Sequence, residues 1–242
     1  MVVTDAGECR KPPRSGSDPG RGLTRRFGAA RVSISARGVG AAPVGAYRGL
    51  MPRPPRIQAS GATYHVSANS TFGRMLFAEN DDRRWFEYRL DDVVRRCDWS
   101  CLSHCLLGTH YHLVVTTPEP NLAAGMQRLN SMHAQAFNDS HGQFGGLMRN
   151  RYHTKLVETE AHLLEVIRYV ALNPVRAGLC VRPADWRWSS YAGSIGWASP
   201  PPFLDLKRLL KLFSSDPAVA RSRLRAFVED GLPPSVSPMS GV

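Results

Sequence analysis

The stretch Ser100-Cys101-Leu102-Ser103-His104-Cys105-Leu106-Leu107-Gly108-Thr109-His110-Tyr111-His112-Leu113-Val114-Val115-Thr116 decides the fold. It reads as two strands, 100–107 and 110–116, joined by a tight turn at Gly108-Thr109. Residues two apart on a strand point to the same side. His110 and His112 therefore share one face, and Tyr111, Leu113 and Val115 share the other.

Outward from this hairpin, the pattern is regular on both sides. Residues 62–69 alternate as a strand does. Residues 81–97 set Phe86, Leu90, Val93 and Cys97 at helical spacing behind Asp81 and Asp82. Beyond the hairpin, Asn121 can cap a second helix in which Leu122, Met126, Leu129 and His133 share a face. A Gly- and His-rich loop at 138–146 follows, then a short strand at 151–157. A third helix spans 160–173 and is expected to end at Pro174, with a basic helical segment near 204–213. The order strand–helix–strand–strand–helix–strand predicts an α+β architecture, an antiparallel sheet with helices packed on it.

Composition narrows the function. The 242 residues carry a formal net charge of +11, and the pI is near 10.0. Such a balance favours a polyanion, with nucleic acid first, over a merely solvated basic surface. No apolar run is long enough for a membrane span, and the start lacks a signal-peptide core, so a soluble, cytoplasmic protein with no membrane partner is expected. The five cysteines are odd in number and form no C-x-x-C pair, which predicts reduced thiols. Cys101 and Cys105 precede the two histidines, but their spacing fits no usual zinc finger. Residues 1–50, rich in Gly, Pro, Ser and Arg, read as a disordered and dispensable extension, or as sequence upstream of a natural start at Met51. Residues 51–213 form the patterned domain, and 214–242 a C-terminal tail.

Three groups of residues could carry chemistry. His110 and His112 can reach one divalent ion, although two histidines on a strand are more often plain surface residues. Tyr169 and Asn173 stand one helical turn apart on the third helix, on a polar stripe with Glu165, while Leu163, Ile167 and Val170 form its buried side. Taken alone, a tyrosine that anchors the helix edge and an Asn before Pro that stops the helix are the readings to prefer over catalysis. Arg149, Arg151, Lys155, Arg168 and Arg176 surround this helix in sequence. Trp186, Trp188 and Tyr191 follow, suited equally to base stacking or to core packing.

The segments Thr109-His110-Tyr111-His112-Leu113 and Tyr169-Val170-Ala171-Leu172-Asn173-Pro174-Val175-Arg176-Ala177-Gly178, taken together, resemble the IS200-like transposases, and within them the REP-associated tyrosine transposase branch. Residues 52–57, 126–130 and 188–191 support the likeness, which covers about 51–213. The resemblance implies a ferredoxin-like or RRM-like core. It places the family's HUH metal pair on His110 and His112, its nucleophile on Tyr169 and its third metal position on Asn173. It further implies a divalent cofactor (Mg²⁺ or Mn²⁺), single-stranded or hairpin DNA as partner, a 5′-phosphotyrosine intermediate, and a monomer or homodimer. The sequence departs from the family at Gly108-Thr109, where relatives carry Pro-Asn, and at Ala171, where many carry His. Two rivals stand beside it: a replication or relaxase-type HUH endonuclease, and a non-catalytic DNA-binding protein descended from a transposase.

Overall fold

The computed structural model describes residues 58–232; the expectations for 1–50, for 51–57 and for the end of the chain lie outside that range. Strands β1 (Ala62–Asn69), β2 (Ser100–Leu106), β3 (His110–Thr117) and β4 (His153–Val157) form one antiparallel sheet in the order β2-β3-β1-β4. Helix α1 (Asn80–Cys97) joins β1 to β2, and α2 (Leu122–His141) joins β3 to β4. This is the ferredoxin-like arrangement.

Alternation along the strands sorts side chains onto two cores. Tyr64, Val66 and Ala68 of β1 lie with Tyr111, Leu113 and Val115 of β3 against Phe86, Leu90, Met126 and Leu129 of α1 and α2. On the opposite face, Val114, Leu102 and Cys105 pack under Leu163, Ile167 and Val170 of α3 (Glu160–Arg176). The sheet is thus covered on both sides. A register shift between Cys101 and Ser103 puts Cys101 in the first core and Cys105 in the second, so the two thiols do not converge on a metal.

The structure departs from the sequence reading in four places. Helix α3 does not stop at Pro174 but runs to Arg176, because hydrogen bonding resumes with Ala177 N donating to Asn173 O at 2.9 Å. Helix α2 continues to His141, into the expected loop. Asn121 precedes α2 without capping it through its side chain. Its amide instead accepts from Trp99 Nε1 at 2.6 Å and donates to Cys97 O at 3.0 Å, tying the start of α2 to the end of α1. The segment from 214 onward, expected to be a tail, carries α6 (Pro217–Asp230), whose Ala220, Leu224 and Val228 are buried in the α3 core. Helix α5 (Leu206–Lys211) joins the same core through Leu209 and Leu210.

The edge strand β2 is covered by the segment that contains the tryptophans. Leu106 N donates to Trp188 O at 2.8 Å and Ser190 N to His104 O at 3.1 Å. Trp186 Nε1 donates to Leu106 O at 3.0 Å. Trp188 and Tyr191 are buried. Packing and edge protection, not base stacking, account for these aromatic residues.

One close contact yields a stability prediction. A Cβ on Gly125 of α2 would lie 2.3 Å from the ring of buried Trp99. Alanine is intrinsically the better helix former by about 1 kcal/mol. Gly125→Ala should nevertheless lower stability, by about 1–3 kcal/mol, because the rigid ring must be displaced. Urea unfolding of the two proteins checks this, and an unchanged or higher midpoint would refute it.

Candidate active site

Strand β3 presents His110 and His112 on the face that α3 covers. Its neighbour β1 runs antiparallel, with Ser67 opposite His112, Asn69 opposite His110 and His65 opposite Val114. Paired residues point to the same side, so His65 joins the same face. The rings of His110 and His112 stand 5.2 Å apart. His65 Nε2 and His112 Nδ1 share a 3.0 Å hydrogen bond, and their rings stack at 5.1 Å.

Helix α3 brings the second half of the site. Its apolar side is anchored by Leu163, Ile167 and Val170, which turns Tyr169 and Asn173 toward the histidines. The Tyr169 ring meets His112 edge-on at 5.4 Å and His65 at 5.7 Å. Tyr169 keeps 39% of its surface exposed, whereas Asn173 is buried at 7%. Asn173 lies beside His110 and tends to hold that ring's proton. The four residues that the sequence singled out on two separate elements therefore meet on one face. His65 was missed, although the alternation Thr63, His65, Ser67, Asn69 placed it on the polar side of β1; only the strand pairing shows that this side faces His112.

The hydrogen bonds define which nitrogens are free. Thr109 Oγ1 lies 3.1 Å from Nδ1 of His110 and supplies a polar partner for this ring. Nε2 of His112 and Nδ2 of Asn173 are buried with no hydrogen-bond partner. A half-turn of the Asn173 amide would present its oxygen instead. Orphaned polar atoms of this kind are costly unless something outside the chain satisfies them. Among the described residues, no three His, Cys, Asp or Glu side chains form a metal site by themselves. The donors available here are two imidazoles and one amide, with His65 engaged on His112.

Burial sets the charge state. His112 is pushed down to about 3, chiefly by desolvation and further by the neighbouring His65 and His110. Burial also lowers His65, with Lys155 and His162 adding to the effect. His110 is lowered by burial against the opposing pull of Asn173. All three rings are therefore neutral at neutral pH, the form in which imidazole donates a lone pair to a cation.

The basic residues divide into two groups. Lys155, Arg168 and Arg176 line an open groove of about 680 Å³ together with Tyr169, His65 and His162. The Arg176 guanidinium carbon stands 5.2 Å from the Tyr169 ring centroid. Arg168 is largely committed within the protein: it pairs with Glu165 at 2.6 Å and Asp230 at 3.8 Å, and it lies over Phe227 at 4.5 Å. Arg149 and Arg151 stand at the Asn69 end of β1, the end paired with His110, around a smaller cavity of about 270 Å³ with Asn69 and His153.

No family model matches the chain, and no curated protein matches it. A solved structure shares its fold. That structure is of a REP-associated tyrosine transposase bound to a REP hairpin. The TM-score is 0.53 at 16% identity, over 60% of this chain and 86% of the other. At this identity the likeness is one of fold. No helix among the described residues is long and apolar enough to cross a membrane.

The depressed histidines give a pH prediction. The unfolded chain takes up a proton on His112 near 6.5, the folded one only near 3. The unfolded state thus binds more protons across that window, and stability must fall as pH drops below about 6.5, by up to about 1.4 kcal/mol per pH unit for this one residue. Thermal unfolding with a chelator present should show the decline, and His112→Gln should flatten it. An equally steep decline in the variant would remove His112 as the cause.

Proposed function

We propose that this chain is a metal-dependent tyrosine transposase of the HUH type, which cuts and rejoins single-stranded DNA at hairpin-forming elements. The observation that carries this reading is the meeting of Tyr169 with His112 and of Asn173 with His110, around buried polar atoms that have no partner in the chain. The fold neighbour bound to a hairpin supports it.

His110, His112 and the Asn173 oxygen are the groups that would hold a divalent ion, Mg²⁺ or Mn²⁺, leaving room for water and phosphate oxygens as open sites require. Such an ion, when bound, polarises a phosphoryl oxygen and neutralises charge in the transition state. Donation of the Nδ1 proton of His112 to Nε2 of His65 is the arrangement that would leave the Nε2 lone pair of His112 free toward the ion. Tyr169, half-exposed beside this face, attacks the phosphorus through its Oη. A phosphotyrosine bond to the 5′ side forms as the bond to the 3′ oxygen breaks; the phenol proton leaves, and the 3′ oxygen takes up a proton to become a hydroxyl. Arg176 and Lys155 place positive charge on the groove where the strand's phosphates would lie. Rejoining is attack by a 3′-hydroxyl on the same phosphotyrosine, so the bond energy is conserved and no nucleotide triphosphate is needed.

The reading is tested with a labelled single-stranded hairpin oligonucleotide and Mg²⁺ or Mn²⁺. The wild type should form a covalent adduct. Tyr169→Phe, which removes only the hydroxyl, should bind as well as wild type while cleavage falls at least about a thousandfold. His110→Ala and His112→Ala should lose the metal-dependent cleavage and keep the fold. A normal cleavage rate in the Phe variant would overturn the nucleophile, and binding with no adduct in the wild type would favour the non-catalytic rival.

A further inference from the structure

Two loops at the end of the sheet near His110 are fastened side by side. One follows β1 and the other follows α2. Thr71 N donates to Leu147 O at 2.8 Å, and Thr71 Oγ1 to Gly146 O at 2.9 Å. Arg74 donates to Gly146 O at 3.0 Å, Phe144 O at 3.4 Å and Asn138 Oδ1 at 2.9 Å. Each loop carries a phenylalanine followed by a glycine at positive φ: Phe72 before Gly73 (75°) and Phe144 before Gly145 (82°). Backbone of that kind favours glycine, and it lets the chain reverse directly after the ring.

The two rings are almost fully exposed, Phe72 at 95% and Phe144 at 92%. Neither belongs to a core cluster, and neither packs on another ring among the described residues. A scattered exposed apolar residue needs no explanation, but two phenylalanines on loops fastened to each other and to the end of α2 by five side-chain hydrogen bonds are an ordered surface rather than loose ends.

Charge identifies the occupant. A cavity of about 450 Å³ beside Phe72 is lined by Arg74, Asn69, Thr109 and Arg149. It shares Asn69 and Arg149 with the 270 Å³ cavity that holds Arg151 and His153. Asn69 is paired with His110, so this track leads from Phe72 to the candidate active site. Arg74 donates to neutral acceptors, and among the described residues no carboxylate pairs with Arg74, Arg149 or Arg151. Exposed rings alone would suit a protein partner, and arginines without a carboxylate partner alone any polyanion. Flat apolar faces next to unneutralised guanidiniums suit unpaired bases on a phosphate backbone.

We propose that Phe72 and Phe144 form a stacking platform for unpaired bases, and that the phosphates of the same strand run past Arg149 and Arg151 toward His110. The platform rests on the proposed binding of single-stranded DNA, but not on cleavage. It sets which part of the substrate is gripped: a single-stranded flank beside the hairpin, rather than the paired stem.

The test measures binding by the full chain of two DNA hairpins, one blunt and one with an unpaired flank containing 2-aminopurine. For wild type, the flanked hairpin should bind more tightly, and its 2-aminopurine emission should be quenched by stacking. Phe72→Ala and Phe144→Ala should each weaken flanked binding roughly tenfold and relieve the quenching, while blunt-hairpin affinity stays the same. The salt dependence of binding should not change, because no charge is removed. Phe72→Trp should restore affinity. If the Ala variants bind the flanked hairpin like wild type, or lose both hairpins equally, the platform is wrong while DNA binding stands. If the wild type binds neither hairpin, the nucleic-acid reading and the platform fall together. If the Ala variants instead abolish a concentration-dependent self-association seen by sedimentation, without the flank-specific loss, the rings serve a second copy of the chain.

Discussion

The pairing of β1 with β3 is the constraint on which the rest of the molecule depends. In the observed register, Ser67 faces His112 and Asn69 faces His110, while Tyr64, Val66 and Ala68 face the first core. Strand side chains alternate with period two, so a slip of one residue would turn every apolar side chain of β1 out of the α1–α2 core and His65 into it. The burial of Tyr111, Leu113 and Val115 forbids the same slip in β3. Hydrophobic burial on one side of the sheet thereby fixes the geometry of the histidines on the other. The site needs no separate scaffold.

The second dependence is on α3. Its apolar side seats on Val114, Leu102 and Cys105, and α6 closes over it with Ala220, Leu224 and Val228. The junction is tight: a Cβ on Gly231, just past α6, would come within 2.7 Å of Arg168 Cδ. Arg168 is thereby drawn into ion pairs with Glu165 and Asp230. Pro174 removes one backbone donor from the helix, yet the helix continues, so Asn173 keeps its place one turn beyond Tyr169. A helix ended at Asn173 would leave that amide free to wander from His110.

Electrostatics in this protein are divided by depth. The chain carries +11 overall, and its free arginines lie in open grooves, where charge can meet a backbone of phosphates. The histidines lie deeper, where desolvation holds them neutral. A charged imidazole cluster would repel a divalent cation; a neutral one can bind it. The same burial leaves Nε2 of His112 and Nδ2 of Asn173 without partners in the chain, a cost that an ion or a phosphate oxygen at the proposed site would offset.

By itself the sequence determined the alternating pattern of the hairpin, the element order, the two faces of α3 and the two pairs, His110 with His112 and Tyr169 with Asn173. These are local: each follows from periodicities of two or of 3.6 within a single element. Even Asn121, correctly placed at a helix start, could not reveal its bonds to Trp99 and Cys97, since these cross between elements. The tertiary structure alone decided that the two pairs meet, that His65 backs His112, that the tryptophan segment covers β2, and that residues 217–230 belong to the core as α6. It also decided that Arg168 is spent inside the protein while Arg149 and Arg151 are not. The reason is physical: which neighbour a side chain meets is set by strand pairing and by the packing of distant apolar faces, and neither leaves a signal within the few residues around the side chain itself.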